Sequence, residues 1–348
     1  MIVVNARFLT QPITGVQRYG IEISLELKKT NPKIIFVTPR NIIHHDIAKA
    51  LEAIPIGYLK GHAWEQVELP LFLKRNNTPL LVNLANTAPI FYYNKVSTIH
   101  DIAFEKFPQN FSWKFRKFYQ LTIPIIIKTS RKIFTVSEFS KKEITSLYKI
   151  STSEIQVVPN AASNIFTRTP SIKQQEKYVL AVSSLTYQKN FTALIDAFNL
   201  LNDKSHKLLL VGSINRNFAS KDLIAKIDSN HLIKFTGRVS DAELVSLYSD
   251  ATAFIHPSLY EGFGIPPLEA QACGCPVICS NTASLPEVCN DSALYFDPYN
   301  TLDIANKIDS FLAAPEASAI LVEKGYKNIT RFSWEHSANT LLATLKDL

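Results

Sequence analysis

The amino-acid sequence predicts an α/β protein of two domains, each a doubly wound parallel sheet, the pair facing a cleft. Three observations carry this expectation. Two successive series of short β-branched runs alternate with helical stretches, a polar break separates the series, and the two sides of the break carry opposite net charge. At 348 residues, with 46% hydrophobic and 19% charged composition, the chain is long enough for two cores of ordinary size.

In the first series, IIFVTP (34–39), LLVNL (80–84), VSTIHD (96–101), KIFTVS (132–137) and EIQVVPN (154–160) read as buried parallel strands, each closed by a polar or proline-containing loop. KYVLAVS (177–183), HKLLLVGS (206–213), LIKFTGRV (232–239), ATAFIHPS (251–258) and CPVICS (275–280) form the second. Helical stretches such as NFTALIDAFNLL (190–201) and SDAELVSLYSD (240–250) lie between them, the latter opening with the capping-box pair Ser240 and Glu243. The break lies near 163–177, a polar stretch with Pro170 and no apolar periodicity, and we divide the chain there into 1–168, 169–330 and a final helix, 331–348, that returns toward the N-terminal domain. Ligands of such sheets bind outside the carboxyl ends of the strands, so a site shared by both belongs in the cleft.

Residues 1–168 hold 22 Lys+Arg against 11 Asp+Glu, and residues 169–348 hold 15 against 19. Much of the basic excess lies in 104–132, where Lys114, Arg116 and Lys117 are interleaved with Phe, Trp and Tyr. The segment suits an anionic membrane surface or nucleic acid, and equally an amphipathic helix with core aromatics and solvated charges. The initial run MIVVNARFLTQP is too short for a signal h-region and has no basic residue before its apolar part. The longest apolar run, IPIIIK (123–128), falls well short of the roughly 20 residues of a membrane span. The expectation is a cytoplasmic protein, with peripheral attachment to the inner membrane face as an option of the basic segment. All four cysteines fall between Cys273 and Cys289 in the spacing C-x-C-x3-C-x9-C, which lacks the paired halves of a structural zinc site and reads as small buried thiols in a reducing compartment.

The densest motif is HPSLYEGFGIPPLEAQACGCPVICS (256–280). Pro266 and Pro267 belong in the first turn of a helix, where a missing N–H costs nothing, and the helix stops near Gly274. Glu269 then lies in its first turns and Glu261 in the loop before it. A helix N-terminus suits a phosphate, and Gly262 and Gly264 let backbone approach a ligand. Taken singly, Glu261 is equally a surface loop residue and Glu269 a helix charge.

This stretch resembles the family 4 retaining glycosyltransferases of GT-B fold, whose domains are Rossmann-like. The likeness extends through TGVQRY (14–19), STIHDIAF (97–104), FTVSEFSKKEI (134–144), VVPNA (157–161), SSLTYQKN (183–190) and FTGRVSDAEL (235–244). It implies that Glu269 holds the ribose of a sugar nucleotide and that Glu261 lies near the transferred sugar, along whose hydroxyls the backbone of Gly262, Phe263 and Gly264 runs. It also implies that Lys189 and Gly15 face the donor diphosphate, that His100 stands beside the reacting carbon, and that Arg238 and Val239 line the base pocket. Ser184 and Leu268 complete the implied donor site. His100 is also consistent with an ordinary hydrogen-bonded loop histidine, whereas Lys189, a cation at a helix start, is misplaced for the dipole and asks for an anion nearby.

The chain departs from the family pattern in places. Where many relatives carry an arginine near Lys189, Ser184 and Gln188 stand here, and Arg18 is a substitute cation; Ala161 replaces a common glycine and Gln271 a usual methionine. The implied reaction moves a hexosyl group, mannosyl in first place, from a nucleoside diphosphate sugar (GDP-mannose before a UDP-sugar) to a glycan or lipid-linked hydroxyl in surface polysaccharide assembly. No Asp-x-Asp triplet occurs, so neither a metal nor another cofactor is expected. The absence of G-x-G-x-x-G argues against a dinucleotide oxidoreductase. A sugar-nucleotide epimerase or a non-enzymatic membrane or nucleic-acid module leaves the Glu261–Glu269 pairing unexplained, and nucleic acid is not the expected partner.

Overall fold

The computed structural model describes residues 1–169, 176–213 and 221–348, so that Pro170 and part of the expected break lie outside the described residues. The chain forms two compact units. The first comprises Met1–Glu105, Trp113–Asn160 and Ser333–Leu348, the second Lys106–Ser112 and Ala161–Phe332.

The first unit holds a parallel sheet of β1 (Ile2–Asn5), β2 (Ile35–Thr38), β3 (Ile54–Pro55), β4 (Leu80–Asn83), β5 (Lys95–Thr98), β6 (Lys132–Thr135) and β7 (Ile155–Val157), in the order β3-β2-β1-β4-β5-β6-β7. The second holds β8 (Tyr178–Val182), β9 (Lys207–Val211), β10 (Ile233–Gly237), β11 (Ala253–His256), β12 (Val277–Ser280) and β13 (Ala293–Phe296), in the order β10-β9-β8-β11-β12-β13. Both are doubly wound. In each, the order reverses beside the first strand, between β1 and β4 and between β8 and β11, and a crevice opens at the carboxyl ends of those strands.

Ten of these strands stand where the β-branched runs predict them; β1, β3 and β13 were not expected. β1 is only IVVN, embedded in a stretch weighed as a possible leader, β3 is a two-residue exposed edge, and β13, ALYF, has no β-branched residue. Central strands are buried on both faces and therefore carry continuous apolar runs, against which Leu194, Ile195 and Phe198 of the helix Phe191–Leu200 pack. A fully buried side chain of this kind contributes about 1.5–3 kcal/mol relative to an exposed one. Ser240 and Glu243 make both capping-box hydrogen bonds.

The division falls at Asn160 rather than at 168, because Phe166 meets the ring of Tyr248 edge-on and Thr169 N–H donates to Ser249 Oγ. The helix Trp334–Lys346 belongs to the first unit, where Trp334 packs on Tyr19 and Ser337 Oγ donates to the Pro159 carbonyl. The basic segment is split as well: Lys106–Ser112 belongs to the second unit and the helix Trp113–Thr129 to the first. All four cysteines are buried free thiols. No helix among the described residues is long and apolar enough to cross a membrane.

Candidate active site

The loops that follow β8 and β11 meet at the reversal of the second sheet. Leu259 N–H donates to the Gln188 carbonyl at 2.8 Å, which ties the two loops together. Gly212, after β9, passes so close to the first loop that a Cβ would lie 1.7 Å from the Ser183 carbonyl oxygen, so no larger residue fits there. Lys189 closes a 3-10 turn, Tyr187–Lys189, and Asn190 takes a left-handed conformation before the helix Phe191–Leu200.

This geometry brings together three charged or titratable side chains. Lys189 Nζ donates to Glu261 Oε1 at 2.6 Å, and His256 Nε2, from the last residue of β11, donates to the same oxygen at 2.8 Å. The anion that a cation at this position asks for is thus Glu261. Burial alone would raise the Glu261 carboxyl, but the Lys189 charge and the His256 hydrogen bond outweigh it and hold the group far below the usual carboxylate range. Both bonds fall on Oε1, and Oε2 has no protein partner among the described residues.

Beside this cluster the helix Ile265–Ala272 begins. Its N-cap is Gly264, with φ +93°, a conformation that L side chains rarely adopt; a Cβ there would also press on Leu285 Cδ2 at 2.8 Å. Pro266 and Pro267 occupy its first turn. Ser284 Oγ contacts the carbonyls of Glu261 (3.0 Å) and Phe263 (2.8 Å), fixing the backbone of the glycine-containing loop, and Phe263 packs edge-on against Phe332. Glu269 is buried on this helix, with Tyr248 Oη at 3.4 Å from its Oε2. Leu268 is fully buried in the core, so its side chain serves packing rather than a ligand. Gly262 is buried, Ser184 and Val239 are half-buried in their loops, and Arg238 is exposed after Gly237 at the end of β10.

The remaining residues singled out by sequence lie in the first unit. Gly15 opens the helix Gly15–Thr30 and is exposed, and Arg18, half-buried, returns its N–H to Thr14. His100 is buried behind β5. Its Nε2 meets the Leu84 carbonyl at 2.9 Å, its N–H donates to Asn86 Oδ1, and Tyr19 packs edge-on at 4.9 Å. Burial pushes the imidazole down to about 4, the Leu84 contact offsetting part of this, so His100 is neutral near pH 7. Lys114 and Lys117 are exposed on the helix Trp113–Thr129; Arg116 is not their equal, being half-buried with its Nε enclosed and without a hydrogen-bond partner among the described residues.

His256 was missed by sequence reasoning. Its signal was present, a histidine closing a strand five residues before Glu261, but strand-end histidines commonly serve only local hydrogen bonding, and the register that aims it at Glu261 is a property of the folded loop.

Comparison with known proteins finds glycosyltransferase relatives. Residues 164–328 match the model of the family described as glycosyl transferases group 1. The chain is 30% identical to O-antigen chain mannosyltransferase B of Escherichia coli, over 96% of each chain. It is 27% identical to O-antigen chain mannosyltransferase RfbU of Salmonella typhimurium, over 81% of this chain and 77% of that one. Among solved structures, Anabaena HepE in complex with UDP and glucose superposes with a TM-score of 0.80 at 18% identity, over 100% of this chain and 99% of that one. The two parallel-sheet units are those of a GT-B glycosyltransferase fold, and the chain belongs to the glycosyl transferases group 1 family.

Proposed function

We propose that this glycosyltransferase is a family 4, retaining enzyme that moves a mannosyl group from GDP-mannose to a glycan or lipid-linked saccharide hydroxyl in surface polysaccharide assembly. The second unit binds the donor and the first the acceptor. The carrying observation is the Lys189–Glu261–His256 cluster at the reversal of the second sheet, with one carboxylate oxygen unpartnered among the described residues. Similarity to the two O-antigen chain mannosyltransferases favours mannose and polysaccharide.

In this reading the difficult step is departure of the nucleoside diphosphate as positive charge develops on the sugar ring. Lys189 and the N-terminus of the helix Ile265–Ala272 stabilise the leaving phosphate electrostatically, with the Gly15 helix start and Arg18 as further donors. Glu261 Oε2 accepts a hydroxyl of the transferred sugar, while Oε1 keeps Lys189 in place until the diphosphate competes for it. Glu269 accepts the ribose hydroxyls, the loop of Arg238 and Val239 borders the base, and His100, neutral, offers its imidazole to the sugar rather than a charge. The departing phosphate takes the acceptor proton, so no protein base and no metal is required. Activity accordingly survives EDTA; loss on chelation with recovery in manganese overturns this part.

A thermal-shift panel of GDP-, UDP-, dTDP- and ADP-sugars tests the donor. The true donor at a hundred times its dissociation constant stabilises the fold by about 2.7 kcal/mol. A response to a UDP-sugar alone replaces mannosyl from GDP-mannose with a UDP-dependent transfer, and no response to any of them removes the donor-site reading.

The helix Trp113–Thr129 favours a peripheral membrane role in addition. Trp113, Lys114, Lys117, Leu121, Ile125 and Lys128 are exposed at helical spacing, and Lys114 Nζ lies 5.9 Å over the Trp113 ring. Each cation near an anionic surface contributes about 1 kcal/mol, screened over about 8 Å at physiological salt. Co-sedimentation with anionic but not neutral vesicles, released by salt and lost in Lys114→Glu/Lys117→Glu, is the expected result; equal partition to both leaves the helix as ordinary structure.

A further inference from the structure

A second polar cluster stands at the reversal of the first sheet. Asn5, the last residue of β1, donates through Nδ2 to Asn83 Oδ1, the last residue of β4, at 3.0 Å and to Glu65 Oε1 at 2.9 Å. Arg7 Nε donates to Glu65 Oε1 at 3.2 Å and Arg7 Nη2 to Thr87 Oγ1 at 2.8 Å, while His62 Nδ1 lies 3.3 Å from Glu65 Oε2. Asn5, Arg7, Glu65, Asn83 and Thr87 are all buried. Stability alone does not call for this, since apolar packing of the same volume commonly does as well as a buried ion pair.

Two features show a built edge that ends in solvent. The run 61–75 is helical but widens into a π-helical turn at Trp64–Glu68, an insertion that recurs at functional sites; this turn carries Glu65 inward. Glu65 thereby orients His62, whose side chain is 40% exposed and whose Nε2 has no partner among the described residues. Tyr119, one residue on from Phe118, stacks on Phe115 at 4.1 Å and meets Phe104 edge-on at 5.4 Å, and its hydroxyl is likewise without a hydrogen-bond partner among the described residues. Burial holds this phenol neutral, up to about 12. Aromatic faces adjoin: Phe118 lies 4.5 Å from the His62 ring and 6.0 Å from the Tyr119 ring.

Hydrogen-bonding groups without partners among the described residues, set beside aromatic rings and over the Arg7–Glu65 ion pair, fit a ring with many hydroxyls. We propose that His62, oriented by Glu65 at the β1/β4 reversal, and Tyr119, held by the Phe104 and Phe115 rings, bind a sugar ring of the acceptor. The inference rests on the glycosyl-transfer reading and adds to it the residues that recognise the acceptor. In it, His62 Nε2 and Tyr119 Oη exchange hydrogen bonds with ring hydroxyls, and Phe118 covers an apolar sugar face.

The test uses the full chain and binding rather than turnover. Saturation-transfer NMR is recorded with octyl α-mannoside, octyl α-glucoside and octyl N-acetyl-glucosaminide, against wild type, His62→Ala and Tyr119→Phe, with nucleoside diphosphate titrated in parallel. At least one glycoside is expected to bind wild type, with affinity falling about tenfold in His62→Ala and about fivefold in Tyr119→Phe while nucleotide affinity holds. Glycoside binding that is equal in all three proteins overturns the proposal. So does the absence of binding by any glycoside, or a parallel loss of nucleotide affinity, which would assign the cluster to the donor. Failure of the underlying reading looks different: no nucleoside diphosphate binds wild type at all.

Discussion

The two sheet reversals each hold a carboxylate drawn away from solvent, Glu65 buried and Glu261 half-buried, and they compensate it in opposite ways. Glu65, in the first unit, uses both oxygens: Oε1 accepts from Asn5, Arg7 and Thr87, and Oε2 faces His62. Glu261, in the second, concentrates Lys189 and His256 on one oxygen and leaves the other without a partner among the described residues. A carboxylate whose lone pairs are satisfied by its own chain positions its neighbours. One with an open oxygen and a cation in reach can exchange partners with an incoming ligand. The contrast separates an acid spent on its own neighbours from one with an oxygen to spare, although both are held ionised against burial by adjacent donors.

The sharpest way to break this comparison is to remove the satisfied acid. Glu65→Ala strands the buried Arg7 and is expected to cost roughly 3–5 kcal/mol. Urea unfolding measures it, and a loss below about 1 kcal/mol would show that Glu65 is not the anchor of its cluster. Lys189→Ala comes next: if the lysine stabilises the leaving phosphate, turnover falls by on the order of 10²–10³. Comparable rates in the variant and wild type, at saturating donor, remove Lys189 from the site.

The acid limb of the stability curve sharpens the comparison further. His100 has a folded value near 4 against about 6.5 unfolded, so the unfolded state takes up its proton first. Its contribution, about 3 kcal/mol, is complete above pH 6.5 and disappears as pH falls toward 4. Glu261, also depressed, contributes in full above its unfolded value of about 4.3 and is lost only below it. Denaturant midpoints from pH 7 to 3 should therefore decline in two windows, the upper one flattened in His100→Gln and the lower one in Glu261→Gln. An upper window that persists in His100→Gln refutes the assignment. The smallest effect is expected from Glu269→Gln, which keeps the shape but removes a charge-assisted acceptor, weakening nucleotide binding by roughly 1.5–3 kcal/mol. Calorimetric titration with the nucleoside diphosphate reads it, and unchanged affinity dissociates Glu269 from the ribose.

Much of this was legible before folding. Periodicity marked ten strands because a parallel strand covered on both faces must be apolar throughout, a demand visible residue by residue. Proline and glycine marked the start of the helix Ile265–Ala272 for reasons that are likewise local, a fixed φ and a left-handed φ. β13 escaped because pairing with β12, rather than any β-branched residue, makes ALYF a strand.

The sequence by itself determined the class of the fold, the Glu261–Glu269 spacing and the cation at 189, since backbone propensity, burial period and residue chemistry act over a few positions. Tertiary structure alone decided what those groups touch. That Lys189 finds Glu261 across 72 positions, that His256 shares its oxygen, and that Asn5 and Arg7 meet Glu65 some 60 residues on are consequences of parallel strand order. Crossovers bring the carboxyl ends of distant strands to one reversal, and no local pattern in the chain encodes which side chains arrive there together.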